Sequence, residues 1–495
     1  MSIRVNLVAN YVGQLYSALI GILLVPLYVE YLGIEAYGLV GFYTALQGWF
    51  MLLDAGLTPV IGREAARFNG GAVDAVGLRR LLRSLEGIVI AVGTLGAAAL
   101  AAGANLIASH WLRLEHLPAE EVALAVALMG ATIALRWASG LYRAAVSGLE
   151  DIVWLSGFSI VVATFRFVLV LPVLHFLGST PAHFFGYQLA AAVLELLVLI
   201  GRTYRHLPAV HQRVPWRWQP VREVLPFALS SALATVVWVL VTQTDKILLS
   251  GLIPLTQYAY FTMAVLAASG VTLLTSPISG AVVPRLTRLD ASGDNAGLMR
   301  LYRDATQLAA VLATPIVLVL ALFPEQVILA WTGKPDMAAN AAPVLALYAV
   351  GNGVLALAAL PYYLQLARGD LSLHTVGNVL FLLLYVPSLY FAAIHFGALG
   401  AGYAWIAANV LPFLTWLPLV HRRHLERLHV EWMLRDIAAI VWLPTVLCLG
   451  LHRSIQWPTE KVLMTANLLL VYSGLAIAAA ASSSTIRNWL RARAG

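Results

Sequence analysis

Six ionisable side chains lie deep inside long apolar stretches of this 495-residue chain: Asp54, Arg136, Arg166, Glu195, Asp245 and Lys246. A charge at the middle of a bilayer-spanning helix costs about 2.5–3.5 kcal/mol on insertion scales, so six facing lipid would not be tolerated. They must pair with one another or line a wet cavity. Arg136, Gly140 and Arg143 recur at i, i+4 and i+7, which draws one basic stripe along one helix face. Guanidinium forks offer planar, bidentate donors that match phosphate oxygens. Arg136, Arg143, Arg166 and Lys246 are therefore candidate ligands for an anionic substrate, and Asp54, Glu195 and Asp245 are candidate carriers of a coupling ion, H+ or Na+. The structural alternative is three ion pairs, because the six charges sum to zero. Arg166 and Glu195 are placed to pair across neighbouring helices, whereas the successive residues Asp245 and Lys246 diverge by about 100° around theirs.

The elements that must hold these groups follow from composition. The chain is 60% hydrophobic and 11% charged, with mean hydropathy +0.82. Soluble proteins carry roughly a quarter charged residues, so a soluble enzyme is excluded, and the apolar content excludes disorder. The lone cysteine, Cys448, can build neither a disulfide framework nor a cysteine metal site. Crossing a hydrocarbon core of roughly 30 Å takes about 20 mostly apolar residues. Fourteen such windows fall near 7–31, 37–61, 85–108, 121–142, 152–175, 183–204, 224–250, 256–283, 304–324, 340–366, 371–394, 398–420, 436–452 and 461–482. The first is too long, and lacks the small-residue cleavage site, to be a signal peptide. With the amino terminus inside, 24 of the 31 Lys and Arg residues fall on inward segments, 4 on outward loops and 3 within spans. Because basic residues accumulate on the cytoplasmic side, both termini are expected there.

The chain also repeats itself. Asp74-Ala-Val-Gly-Leu-Arg-Arg-Leu-Leu-Arg83 and Asp294-Asn-Ala-Gly-Leu-Met-Arg-Leu-Tyr-Arg303 agree at six of ten positions at an offset of 220, and Val-Ile-Gly62-Arg63 parallels Val-Val-Pro284-Arg285. A repeat of six spans enters the membrane in one direction twice, the parallel-repeat arrangement of transporters. The expected architecture is an all-α integral membrane protein of fourteen transmembrane helices, with two six-helix pseudo-symmetric bundles and an appended pair. Its divisions are a first lobe (1–206), a cytoplasmic linker (207–222), a second lobe (223–420), and helices 13–14 with a basic tail (421–495). Two bundles with a seam suit alternating access, and short outward loops leave no extramembrane domain for chemistry.

Other features carry less. No phosphate-binding Walker sequence occurs, so ATP is not the direct drive. Glu30 and Glu35 are read as solvated loop residues, and His421, His424 and His429 as a solvated basic loop rather than a metal site. Tryptophans at span ends form the usual aromatic belt, and prolines within spans permit kinks. No cofactor, metal or nucleic-acid partner is expected, and no enzymatic activity.

Asn10-Tyr-Val-Gly, Pro26-Leu-Tyr, Tyr31-Leu-Gly-Ile-Glu-Ala-Tyr-Gly38, Leu53-Asp-Ala-Gly-Leu57, Tyr142-Arg-Ala-Ala-Val-Ser-Gly-Leu149, Gln243-Thr-Asp-Lys-Ile-Leu-Leu-Ser250 and Pro284-Arg-Leu-Thr-Arg-Leu stand in an order and spacing that resembles a known family. It is that of the polysaccharide flippases in the multidrug/oligosaccharidyl-lipid/polysaccharide exporter superfamily, O-antigen (Wzx-type) flippases in particular. The resemblance runs from residue 6 to about 420. It implies export of an undecaprenyl-diphosphate-linked oligosaccharide across the bacterial inner membrane, a cationic cavity between two lobes, and drive from an ion gradient. A cation-coupled multidrug-type exporter is the alternative, although it should prefer an acidic cavity. A lipid II flippase fits less well because span 1 lacks an arginine, and the short outward loops disfavour a membrane glycosyltransferase or polymerase.

Overall fold

The computed structural model describes residues 3–207, 216–425 and 428–494; Arg213, Arg427 and half of the linker expected at 207–222 lie outside them. The protein is all-helical. Its single β-type pairing among the described residues is an isolated bridge between Arg113 and Pro254. Among the described residues, twelve helices are long and apolar enough to cross a membrane. Windows 11 and 12 of the sequence run together as one helix, Ser372–Thr415, kinked where Gly397 takes φ 57° and ψ −134°. Window 7 lies in the helix Gln219–Leu252, which is not among the twelve.

Span 2 ends earlier than expected. Instead of continuing to residue 61, its helix gives way to one 3-10 turn, Met51–Asp54, and the chain then turns through two left-handed residues, Ala55 (φ 45°) and Gly56 (φ 78°). A Cβ on residue 56 would stand 2.1 Å from the Ala228 carbonyl oxygen, so glycine is required there for space as well as for conformation. A separate amphipathic helix, Leu57–Asn69, follows.

The chain packs as two units, Met1–Ala259 and Tyr260–Gly495. This grouping places the helix Gln219–Leu252 with the first unit, whereas the lobe boundaries drawn from the sequence follow the repeat. In the first unit Ala119–Gly148 is the central helix, flanked by Ala75–Leu106 and Pro181–His206 and crossed by Leu57–Asn69. At the last crossing a Cβ on Gly148 would meet the Gly62 carbonyl oxygen at 2.3 Å and the Ala65 Cβ at 2.7 Å. In the second unit Asn295–Leu322 is central, packed against Pro335–Ala367 and against the last two spans, Ala439–Ser454 and Lys461–Ser482. Phe323, Cys448, Met464, Val471 and Leu475 fill the contact with those spans.

The sequence repeat has a physical counterpart. Asp74 and Asp294 each stand immediately before a long helix and accept a hydrogen bond from the backbone N–H three residues on, that of Gly77 at 3.0 Å and of Gly297 at 2.8 Å. Both are N-caps, which satisfy one of the otherwise unpaired first-turn donors. The matched glycines leave room for the carboxylates, since a Cβ would approach within 2.6 Å at residue 77 and 2.3 Å at residue 297.

Two peripheral expectations are corrected. Glu35 is buried, and its carboxylate accepts the backbone N–H groups of Glu115 (2.7 Å) and His116 (3.0 Å). The histidines do not form a solvated loop: His421 is fully buried, 2.7 Å from the Tyr302 hydroxyl and 2.9 Å from His429 Nδ1, against the Trp432 ring. Aromatic neighbours and a paired hydroxyl make burial of these imidazoles tolerable, and the Tyr302 hydroxyl comes from far away in sequence.

Candidate functional site

Four of the seven residues singled out for chemistry gather in the first unit. The helix Ala119–Gly148 begins with Glu120 and Glu121 in its first turn, which complement the helix dipole, and carries Arg136 and Arg143 two turns apart on one face. Pro181–His206 begins behind the Thr180 cap and carries Gln188 and Glu195, also seven residues apart. The two ladders face each other. Arg143 donates from Nη2 (2.6 Å) and Nε (3.0 Å) to Glu195 Oε1, and from Nη1 to the Ser159 hydroxyl at 2.8 Å. Arg136 Nη2 lies 3.5 Å from Glu195 Oε2, so one carboxylate serves two guanidinium groups.

Arg166, on the helix Ile152–Phe167, does not pair directly with Glu195 as the sequence suggested. Its Nε donates to Gln188 Oε1 at 3.4 Å, Gln188 Nε2 returns a bond to the Arg166 carbonyl at 3.0 Å, and the guanidinium lies over the Phe167 ring, 4.9 Å from its centre. It remains within electrostatic reach of both Arg136 and Glu195. The neutral amide takes the closer place because Gln188 sits two helical turns from Glu195, opposite this part of span 5. The cluster therefore holds three cations against one anion, a formal surplus of two positive charges. Arg136 is 9% exposed at its side chain, and its buried Nε has no hydrogen-bond partner among the described residues. Arg143 is more open, at 29%.

The other three residues form separate arrangements. Asp54 accepts from the Thr58 backbone N–H (3.2 Å), the Thr58 hydroxyl (2.5 Å) and the Trp137 indole N–H (3.2 Å). Its carboxylate thus anchors the start of Leu57–Asn69 and ties it to the helix that carries Arg136. Asp245 and Lys246 do not diverge as helical geometry alone implied. The lysine stem folds back so that Nζ donates to the Thr242 carbonyl and lies 3.3 Å from Asp245 Oδ1, while the Lys246 backbone N–H donates to the same oxygen at 2.8 Å. A four-carbon stem can bend in this way around its own helix.

Ser159 and Gln188 were not singled out in the sequence. The spacing of Gln188 and Glu195 was the available signal for one of them. A serine in span 5 carries no periodic signal that separates it from ordinary packing residues.

Comparison with known proteins agrees with this architecture. A putative O-antigen transporter of Shigella flexneri is 22% identical over 429 residues, covering 84% of this chain and 98% of that protein. Among solved structures, the lipid II flippase MurJ in an inward closed conformation superposes with a TM-score of 0.70 at 12% identity, covering 94% of this chain and 97% of that one. An inward-facing multidrug resistance MATE family transporter of the MOP superfamily gives 0.66 at 16% identity, over 82% of this chain and 94% of the other. At such identities the structural likeness establishes the fold alone, the all-helical fold of that transporter superfamily. The family described as polysaccharide biosynthesis protein matches residues 3–290, more than half of the sequence and all of the charged cluster, and this chain belongs to it.

Proposed function

We propose that this protein is a lipid-linked oligosaccharide flippase of the bacterial inner membrane. It moves an undecaprenyl-diphosphate-linked polysaccharide repeat unit from the cytoplasmic to the periplasmic leaflet by alternating access, driven by an H+ or Na+ gradient. Counting Gln219–Leu252 as a crossing, and the two halves of the kinked helix separately, gives fourteen spans with both termini cytoplasmic. The observation that carries the reading is the surplus of guanidinium over carboxylate around Glu195, with the Arg136 Nε buried and without a partner among the described residues. A buried donor without an acceptor costs about 1–3 kcal/mol, and a diphosphate offers acceptor oxygens in the bidentate geometry that arginine favours.

In this mechanism Arg136, Arg143 and Arg166 receive the diphosphate, and the polyprenyl tail stays in lipid, while Lys246 is held by Asp245 in an arrangement of its own. Asp54, Asp245 and Glu195 are the carboxylates available to a coupling ion. The multidrug-type alternative lacks the acidic surplus that an organic cation would need. Leaflet transfer of a fluorescent polyprenyl-diphosphate oligosaccharide in proteoliposomes tests the proposal. Arg136→Ala, Arg143→Ala and Arg166→Ala should each lower the transfer rate about tenfold or more, the equivalent of one charge-assisted hydrogen bond. Undiminished transfer in all three folded variants would remove the cationic mechanism.

A further inference from the structure

A cavity of about 240 Å³ opens in the second unit, at the arginine-rich end of its helices. It is lined by Pro277–Ala291, Asn295–Leu322 and the start of the terminal helix Ser484–Ala494. Its apolar wall is Val282, Leu301, Leu308 and Ile486. Its polar wall carries one cation, Arg285, and one anion, Asp304. No carboxylate pairs with Arg285 among the described residues. Among the described residues Asp304 accepts one hydrogen bond, from the Thr485 hydroxyl to Oδ1 at 2.7 Å, which fixes the carboxylate and leaves Oδ2 without a donor. Thr485 is itself held, its backbone N–H donating to Gln307 Oε1 at 3.1 Å. The two opposite charges are thus displayed in one small apolar recess without closing on each other.

We infer that this recess binds the headgroup of a zwitterionic aminophospholipid, phosphatidylethanolamine, with its phosphate on Arg285 and its ammonium on Asp304. Charge complementarity selects the occupant. An anionic headgroup would satisfy Arg285 and be repelled by Asp304. A phosphatidylcholine headgroup carries the same charges but has no N–H to donate to the free Oδ2. Size agrees: the cavity is smaller than the roughly 300–1,000 Å³ that encloses a drug-sized ligand, so it takes a headgroup and the first methylenes while the acyl chains remain in the bilayer. The apolar wall explains why the occupant is a lipid rather than a soluble zwitterion. Arg288 and Arg300 crowd the same end of the helices, the end that the charge distribution of the chain assigns to the cytoplasmic leaflet.

Native mass spectrometry of the full-length protein decides the matter, with dioleoyl phosphatidylethanolamine, phosphatidylglycerol and phosphatidylcholine offered in equal amounts. Wild type should retain phosphatidylethanolamine about tenfold over either competitor, the factor equivalent to one charge-assisted hydrogen bond. Arg285→Ala should abolish that preference. Asp304→Lys should reverse it in favour of phosphatidylglycerol, a gain that misfolding cannot imitate. Arg288→Ala, which does not line the cavity, should leave it intact. Equal retention of the three lipids by wild type, a wild-type preference for phosphatidylglycerol, an unchanged order in Asp304→Lys, or loss of the preference in Arg288→Ala would each overturn the assignment.

Discussion

The two units solve the same packing problem with different chemistry inside. The first keeps three arginines and a glutamate among its helices. At the offset of 220 that relates Asp74 to Asp294, the positions of Arg136, Arg143, Arg166 and Glu195 correspond to Ala356, Tyr363, Val386 and Thr415, none of them charged. Around the counterpart of the helix that carries Arg136 the second unit uses a neutral network instead, and its own buried ion pair, Arg303 with Asp436 at 2.8 Å, lies elsewhere, where the chain enters its last two spans. The Trp405 indole N–H donates to Asn352 Oδ1 at 3.1 Å, and Asn352 Nδ2 donates to the Ala268 carbonyl at 2.9 Å. Tyr348 stacks on Trp405 with ring centres 5.8 Å apart, and Tyr385 meets the same ring edge-on at 5.9 Å. At these four positions the same kind of helix therefore packs without charge, which costs several kcal/mol to retain inside a membrane. The repeat is preserved where the long helices begin and abandoned where the first unit holds its arginine–glutamate cluster.

The contrast yields a graded series of tests. The largest effect is expected from Glu195→Ala, which leaves the buried Arg136 and the half-buried Arg143 without their shared acceptor. Breaking one side of a buried ion pair costs about 3–5 kcal/mol, so thermal unfolding in detergent should show severe destabilisation, whereas Thr415→Ala should change it little. Next comes the Arg143–Glu195 contact itself. A double-mutant cycle with Arg143→Ala and Glu195→Ala should return a coupling of about 1–3 kcal/mol, and additivity would mean the contact contributes nothing. In the second unit Trp405→Phe removes one donor from Asn352 and should cost about 1–2 kcal/mol of stability while leaving leaflet transfer within about twofold. A transfer defect as deep as that of Arg143→Ala would break the division of labour between the units. The smallest effects are at the caps: Asp74→Ala and Asp294→Ala should each cost about 1 kcal/mol, and equally, because the two carboxylates do the same work.

The sequence carried the frame well and the pairings poorly. Hydropathy and the Asp–Gly repeat were sufficient to read an all-helical membrane protein whose two copies begin their long helices alike. The intramembrane charges announced themselves because each is an outlier in an apolar run. Their partners did not, since pairing depends on how neighbouring helices rotate about their axes, and no spacing along one chain encodes that. Glu195 therefore reached Arg143 and Arg136, while Arg166 met Gln188. Asp54 was read as the middle of a span because the window stayed apolar. The left-handed turn at Ala55 and Gly56 that ends the span depends on a close approach by the Ala228 backbone, far away in sequence.

The crossing at Gly148 has a mechanical consequence. With space for a hydrogen but not for a methyl between residue 148 and the Gly62 carbonyl, the two helices meet backbone to backbone, and interiors so tightly filled transmit displacement instead of absorbing it. Asp54 joins the same two helices through Thr58 and Trp137. Sliding or tilting the arginine-bearing rod must drag the short amphipathic helix with it, so a push exerted at the membrane surface and a shift of the buried cations are one and the same movement.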